Sequence, residues 1–284
     1  MEPMIRNALS LMHERYSDNL TLDDLASAAI MSKFHFIRIF REAMGVTPCR
    51  YLSALRLHEA KRLLRSTRMN VSDISSKVGY SSTGSFTRRF TDSVGYSPIQ
   101  YRNSVVYGRD VATARERRSD DAAVDSGTLG GLVWGSVRAP RDVDEVFVGI
   151  FDTPILECTA IASRLLEGTG AFRLRAPAGR PYYVHAVAWG VEGAAESGPW
   201  SDENGGLLVA SAGPFTAPSE VVTRVELELV PHGWGRPPVL LSLSQARRKV
   251  LTRRTVRPRT PIGCVARPAG ESGTLVAAFA DAVA

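Results

Sequence analysis

One frame of residues occurs twice in this chain and limits what it can fold into more than any other feature. The frame is F-x-R-x-F-x-x-x-x-G-x-x-P-x-x-Y, and it occupies residues 36–51 and again residues 86–101, with different residues between the fixed points. Further upstream, residues 21–32 match residues 70–81. Each copy has the pattern of a helix, a short turn and a second helix, so the sequence predicts a duplicated helix-turn-helix arrangement within residues 5–104.

The first helix of each copy begins with a capping signal. Thr21 is followed three residues later by Asp24, and Asn70 is followed by Asp73 at the same spacing. A hydroxyl or amide side chain in the first position can accept a hydrogen bond from the backbone of the third helical residue, and the carboxylate can bond back. We therefore expect these two helices to start at matching places.

The fixed and the variable residues of the second helices fall on different faces. On a helical wheel the inward residues are Phe36, Ile39, Phe40 and Ala43 in the first copy and Phe86, Phe90 and Val94 in the second. The outward residues differ between the copies: Lys33, Phe34, Ile37, Arg38 and Arg41, against Thr83, Gly84, Thr87, Arg88 and Thr91. One core with two different surfaces is typical of two recognition helices that read different bases in the DNA major groove.

Two further features fit contact with DNA. Ser32 and Ser82 begin the second helices, where hydroxyl and free backbone amide groups can bind phosphate. Between the copies, residues 47–65 carry no internal Gly or Pro after Pro48, which predicts a single helix. Its length of about 28 Å is close to the ~34 Å of one turn of B-DNA, so one molecule could place its two recognition helices in successive major grooves.

Charge is unevenly distributed along the 284 residues, whose formal net charge is +6. Residues 1–108 carry 15 Lys or Arg against 9 Asp or Glu, and residues 246–284 carry 8 against 2. The segment between them, residues 109–245, is acidic, with 12 against 18. A basic helical region favours a polyanionic partner, although a solvated charged surface is the alternative.

Composition argues against several other classes of protein. The chain contains no run of 18 apolar residues, which a membrane span would need. Glu2 and Asn7 interrupt any secretory signal, so we expect a cytoplasmic protein. Cys49, Cys158 and Cys264 lie far apart with no C-x-x-C, which disfavours a disulfide framework or a zinc site. Because no catalytic, phosphate-binding or dinucleotide motif occurs, we predict no catalytic residues, no cofactor and no bound metal.

The second half of the chain has a different texture. Residues 108–127 are polar and charged, which predicts a linker. From residue 128 to 244, short runs alternate in hydrophobicity with a period of two, among them VFVGIFDT, AFRLRAP, PYYVHAVAWG, GLLVASAG and VVTRVELELV, and predict an antiparallel β-sandwich. In the run from Tyr182 to Trp189 we expect one side to fill a core and the other to be a half-exposed sheet face. Residues 245–284 are basic and predict a disordered tail.

The motifs of the helical region resemble a known family. They are A-L-R-L-x-x-A-x-x-L-L at residues 54–64, I-S-x-x-V-G-Y at residues 74–80, and S-F-T-R-R-F followed by G-Y-S-P-x-x-Y-R, which ends at residue 102. Residues 1–107 thus resemble the DNA-binding domain of the AraC/XylS family of transcription regulators. The later region resembles, more weakly, transthyretin-like or carboxypeptidase-regulatory-like β-sandwiches. The fold expected is therefore an all-α double helix-turn-helix domain followed by an all-β antiparallel sandwich.

The resemblance also implies functional residues. Base contacts would be made by Lys33, Phe34, Ile37 and Arg38 in the first unit and by Thr83, Gly84, Thr87 and Arg88 in the second. Arg41 and Arg89 would bind phosphates. The function implied is sequence-specific, DNA-binding regulation of transcription, as an activator or a repressor, with double-stranded DNA and RNA polymerase as partners and an unidentified small-molecule effector as a possibility.

One alternative stays open at this stage. The helical region could tether a β-domain that is itself an enzyme or a carbohydrate-binding module. Three residues also depart from what the family leads us to expect. Ser75 stands where a small apolar residue is usual, Phe34 has an apolar ring, and Gly84 lies inside a predicted helix, where it costs about 1 kcal/mol relative to Ala. Either Gly84 permits close approach to DNA, or the second unit contributes little to sequence discrimination.

Overall fold

A computed structural model describes residues 3–106, 129–158, 160–190, 206–216, 222–233 and 235–242. The N-terminal part is helical throughout, as predicted. Its helices are α1 (Pro3–Glu14), α2 (Leu22–Ala28), α3 (Lys33–Met44), α4 (Pro48–Ser66), α5 (Val71–Lys77), α6 (Thr83–Val94) and α7 (Pro98–Val106). The two helix-turn-helix units are α2–α3 and α5–α6, and α4 is the single connecting helix of 19 residues that the sequence predicts. The predicted linker and the predicted basic tail lie outside the described residues.

The capping signals work as the sequence indicates. Thr21 Oγ1 accepts a hydrogen bond from the Asp24 backbone N–H at 3.2 Å, and an Asp24 carboxylate oxygen accepts one from the Thr21 N–H at 2.8 Å. The Thr21 hydroxyl also donates to the same carboxylate oxygen at 2.7 Å, and this bond together with that from the Thr21 N–H lowers the pKa of the Asp24 carboxyl group. In the second unit, Asn70 Oδ1 accepts from the Asp73 N–H at 2.8 Å. Both first helices therefore start at the predicted residues.

The fixed residues of the repeated frame form one aromatic cluster in each unit. Phe36, Phe40 and Tyr51 contact one another in sequence, with ring centroids 5.4 Å and 5.8 Å apart. The equivalent residues Phe86, Phe90 and Tyr101 have separations of 5.6 Å and 5.7 Å. All six side chains are fully buried. Burial of Tyr51 also raises the pKa of its hydroxyl group.

One predicted core residue is misplaced. Ala43 is exposed, whereas its neighbour Met44 is buried. Both positions lie near the edge of the apolar stripe that begins at Phe36, one at i+7 and the other at i+8. The longer methionine side chain reaches the core from that edge, so Ala43 is turned outward.

The C-terminal part contains two sheets. Its strands are β1 (Leu129–Arg138), β2 (Val143–Phe151), β3 (Ala162–Glu167), β4 (Gly170–Pro177), β5 (Pro181–Gly190), β6 (Leu207–Thr216), β7 (Thr223–Glu228) and β8 (Val230–Pro231). One sheet has the order β4-β1-β7 and the other β3-β2-β5-β6-β8. A sheet-rich region was predicted here, and all five of the predicted runs contain a strand.

The expectation of a wholly antiparallel arrangement is wrong for one pair. Strands β1 and β7 are parallel, with Val133 opposite Thr223 and Arg138 opposite Glu228, while every other pair among the described strands is antiparallel. The two strands are not joined by a hairpin, since β1 and β7 come from opposite ends of the region and β7 follows β6 of the other sheet. Hydrophobic alternation shows which face of a strand is buried but carries no information about the direction of its neighbour.

The two central strands of the five-stranded sheet, β2 and β5, are largely buried on both faces. Its inner face packs on the other sheet through residues such as Val148 and Val184, which share a core with Phe172 of β4. The other face was expected to be half exposed, and this is wrong: His185 and Val187 are buried at 1% and 0% exposure. They are covered by the segments that follow β2 and β8, which supply additional apolar residues: Leu156, Val239 and Leu241.

The same two segments connect the sheets to the helices. Ile155 and Leu240 belong to the hydrophobic core of the helical domain, although both are supplied by the C-terminal region. The Lys61 ammonium group on α4 donates to the Val239 carbonyl oxygen at 3.1 Å. The helical domain is thus completed from outside its own sequence.

Candidate nucleic-acid interface

The outward face of α3 carries the residues predicted to contact bases in the first unit. Phe34 is 85% exposed, which is unusual for a large aromatic side chain. Lys33 and Arg38 are exposed, and Ile37 is half-buried beside them. These four residues therefore lie on one accessible surface at the start of the helix, together with Arg41 one turn further on.

The cations of α3 are held by weak, replaceable partners. The Lys33 Nζ atom lies 2.8 Å from an Asp23 carboxylate oxygen on α2. One nitrogen of the Arg38 guanidinium bonds to Glu42 at 3.0 Å and another lies 3.2 Å from His35 Nδ1. Exposed pairs of this kind contribute about 0–1 kcal/mol. A phosphate or a guanine edge can therefore take the place of the present partners at little cost.

The outward face of α6 is small and rich in hydroxyl groups. Ser82 caps the helix by accepting a hydrogen bond from the Ser85 N–H at 3.2 Å. Thr83 Oγ1 donates to Ser72 Oγ of α5 at 3.2 Å, which joins the two helices of the unit. A Cβ atom added at Gly84 would have no other atom within 4 Å, so the backbone is open to the outside at that position.

The two arginines of α6 have different surroundings. Arg88 is 88% exposed and lies 3.9 Å from Asp92, a distance that constrains it little. Arg89 is directed toward the connecting helix, where its Nε–H donates to Ser53 Oγ on α4 at 3.3 Å. The Arg88 side chain is thus accessible, while Arg89 is placed at the junction of α6 and α4.

The positions of both units depend on two half-buried arginines whose roles sequence reasoning missed. Arg56 on α4 donates to the carbonyl oxygens of Tyr16 and Asp18, both at 2.7 Å, and partial burial lowers the pKa of its guanidinium group. Arg102 on α7 donates to the carbonyl oxygens of Leu64 and Met69, at 3.0 Å and 2.6 Å. Neither role has a local signal, because the acceptors are backbone atoms more than 30 residues away in the chain.

Two further surface residues were also missed. His35 lies on the exposed face of α3 against Arg38, and the i, i+3 spacing of the two could have indicated the contact. Ile30, in the turn before α3, is 82% exposed. The accessible surface of the first unit is therefore more apolar and more extensive than the surface formed by the predicted residues alone.

Comparison with known proteins identifies the family of the helical domain. A family model described as a helix-turn-helix domain matches residues 25–104. The TetD protein of transposon Tn10 from Escherichia coli is 34% identical over 104 residues, which make up 37% of this chain and 75% of TetD. The chain belongs to the AraC-type helix-turn-helix family.

Other transcription regulators match over a similar fraction of the chain. The HTH-type transcriptional regulator AlkR of Acinetobacter baylyi is 35% identical over 102 residues, which are 36% of this chain and 33% of AlkR. The chain thus spans about a third of the length of that relative. A solved AraC-type regulator from Chromobacterium violaceum is 28% identical, and the match covers 36% of this chain and 91% of that one. Its TM-score of 0.35 is too low to support a structural conclusion.

The described ranges lack the side-chain groups that a metal site would need and the helix that a membrane span would need. No three His, Cys, Asp or Glu side chains in those residues come together in a way that could hold a metal ion. No helix there is long and apolar enough to cross a lipid bilayer. Cys49 is exposed and Cys158 half-buried, and neither forms a disulfide bond within the described ranges, while Cys264 lies outside them.

Proposed function

We propose that the protein is a cytoplasmic, sequence-specific DNA-binding regulator of transcription that is not itself an enzyme. Helices α3 and α6 enter successive major grooves on one side of the duplex. Lys33, Phe34, Ile37 and Arg38 read one half-site and Thr83, Gly84, Thr87 and Arg88 read the other. Arg41, Arg89 and the N-terminal ends of both helices, at Ser32 and Ser82, bind phosphates.

One observation carries this proposal. Two units with equivalent aromatic clusters, joined by a 19-residue helix, present two unlike sets of exposed side chains. A bundle that is only structural does not require an outward face that combines an 85% exposed Phe34 with weakly paired cations. A surface of this composition fits a thymine methyl group and guanine edges.

The proposal is tested by selecting duplexes from a random-sequence library with the full chain. We expect the recovered duplexes to share two short motifs whose centres are separated by about one helical turn, or 10–10.5 base pairs. Affinity should fall steeply with salt, because binding displaces counterions from the phosphates. Recovery of duplexes that share no motif would refute sequence-specific binding.

A charge-matched control separates base reading from general attraction. Arg173 on β4 is exposed and lies on an edge strand of the three-stranded sheet, outside the helical domain. Arg173→Ala removes the same charge as Arg38→Ala, and we expect it to leave the affinity for the selected duplex unchanged. An equal loss in the two variants would mean that Arg38 acts only through overall charge.

RNA polymerase is the second proposed partner, since a regulator bound at a promoter acts on that enzyme. Transcription in vitro with purified polymerase, from a promoter that carries the selected duplex, tests this directly. A change in transcript amount in either direction supports the proposal and gives the sign of regulation. An unchanged amount at full occupancy of the duplex contradicts it.

A further inference from the structure

A short segment of the C-terminal region, residues 154–158, crosses the C-terminal ends of both recognition helices. We refer to it as the strap. At one end, Pro154 lies against Gly45, the C-cap of α3, where an added Cβ atom would be 3.9 Å from the Pro154 Cβ. At the other end, the Cys158 N–H donates to the Ser93 carbonyl oxygen of α6 at 2.5 Å, and its thiol contacts the carbonyl oxygen of Asp92.

Between these ends the strap is fixed to the helical domain. Ile155 is 1% exposed and lies in the core of the helical domain. The Glu157 side chain is 7% exposed, and its carboxylate accepts a hydrogen bond from the Arg50 guanidinium of α4 at 2.5 Å. Removing one partner of a largely buried ion pair leaves the other charge uncompensated, which makes such a contact costly to open.

The strap is also fixed to the sheets. The Leu156 carbonyl oxygen accepts from the N–H groups of Leu240 and Leu241, both at 2.9 Å. Just before the strap, the Thr153 carbonyl oxygen lies 3.0 Å from His185 Nε2, and His185 Nδ1 lies 2.7 Å from Ser211 Oγ. Burial lowers the pKa of His185 to about 4, so the ring is neutral near pH 7, with Nε2–H donating to Thr153 and Nδ1 accepting from Ser211.

We propose that the strap is a brace that sets the distance and orientation between the two recognition helices, so that the β-domain determines which half-site spacing the protein accepts. This inference rests on the proposed function. Without the strap, α3 and α6 are related mainly through α4 and its neighbouring loops. With it, their C-terminal ends are joined a second time, on the side opposite the N-terminal residues proposed to contact DNA.

A second connection has a measurable consequence. A rigid pair of recognition helices binds a correctly spaced double site without the cost of ordering one unit relative to the other. One inserted base pair displaces the second half-site by about 3.4 Å along the axis and rotates it by about a tenth of a turn. A braced protein should therefore reject that duplex strongly, and an unbraced one should tolerate it.

The test uses the full chain and three duplexes: the selected double site, the same site with one base pair inserted between the halves, and a site with the second half scrambled. The variant is Ile155→Ser, which opens the strap. Its matched control is Ile161→Ser, close by in the chain, where the side chain packs on the sheets and not on the helices. Affinities are measured by fluorescence anisotropy.

We expect the unmodified protein and Ile161→Ser to prefer the double site over the inserted site by about 30-fold in affinity, where each tenfold corresponds to about 1.4 kcal/mol of binding free energy. Ile155→Ser should reduce this preference to about threefold and should bind the half-scrambled site as the unmodified protein does. A loss of stability alone would weaken binding to all three duplexes equally. The ratio of the affinities for the double site and the inserted site therefore changes only if the brace is lost.

A second variant covers the case in which Ile155→Ser does not fold. Glu157→Ala removes the carboxylate that pairs with Arg50 and leaves the apolar contacts in place, and it should lower the spacing preference by several-fold. Wild-type preference in a folded strap variant would overturn the brace while leaving the proposed function intact. Failure of the unmodified chain to bind any selected duplex would instead overturn the proposed function.

Discussion

The two helix-turn-helix units share one design but differ at the turn that precedes each recognition helix. In the first unit the turn residue is Ile30, which adopts a φ of 56°. In the second it is Gly79, with a φ of 87°. A left-handed conformation is strained for a β-branched residue and free of strain for glycine.

The surroundings explain why the same backbone carries such different residues. Ile30 is 82% exposed, so its side chain extends into solvent. A Cβ atom at Gly79 would lie 2.5 Å from the Ser17 carbonyl oxygen, which no side chain can tolerate. The repeated motif thus fixes the backbone of the turn, while packing against the rest of the domain decides which side chain the turn can hold.

The largest effect is expected from Gly79→Ala. The substitution combines the left-handed φ with the clash against Ser17, so it should lower the free energy of unfolding by about 3 kcal/mol. Urea denaturation of the full chain, followed by far-UV circular dichroism, measures the change. A loss below about 1 kcal/mol would show that the turn relaxes easily, and the contrast with Ile30 would then disappear.

The next effect concerns the outward faces. Arg38→Ala should weaken binding to the selected duplex by about 1–3 kcal/mol and relax the base preference in one half-site only. Arg88→Ala should do the same for the other half-site. Repeated duplex selection with each variant provides the measurement. If both substitutions altered the same half-site, the assignment of one unit to each half-site would be wrong.

A smaller change of opposite sign is expected at the first turn. Ile30→Gly relieves the strain of the positive φ but increases the entropy of the unfolded chain, so the protein should gain about 1 kcal/mol of stability. The same denaturation experiment measures it. A loss of stability would mean that the contacts of Ile30 stabilise the fold by more than the backbone strain destabilises it.

The smallest effect is expected at Gly84 in α6. Because a Cβ atom there meets open space, Gly84→Ala should stabilise the protein by about 0.4–1 kcal/mol. The affinity of this variant for DNA then distinguishes two roles. Weaker binding in a more stable protein means that the backbone approaches DNA closely at Gly84, whereas unchanged binding means that the second unit discriminates little at this position.

Much of the helical domain could be predicted because its signals are local. Helix starts at Thr21 and Asn70 depend on residues three positions away, and the aromatic clusters follow from spacing along one helix. The exposure of Phe34, Arg38 and Arg88 follows from the same periodicity. For the candidate site, the sequence thus identified the surface residues and their two faces, while the roles assigned to them remain predictions.

Prediction failed where the deciding contacts are distant in sequence. Strands β1 and β3 were not indicated by the alternating pattern, and the parallel pairing of β1 with β7 has no local signal. The second face of β5 was expected to be half exposed, since nothing near His185 in the chain reveals that Leu156 and Val239 cover it. Burial of that face depends on segments that return from elsewhere in the fold.

The sequence by itself determined that two equivalent helical units would present two unlike surfaces, because helical periodicity and end-capping act within a few residues. Only the tertiary structure decided that the strap joins the far ends of both recognition helices and that Ile155 and Leu240 complete the helical core. Contacts of that kind depend on how separate elements fill the same space, and no pattern along the chain encodes them in advance.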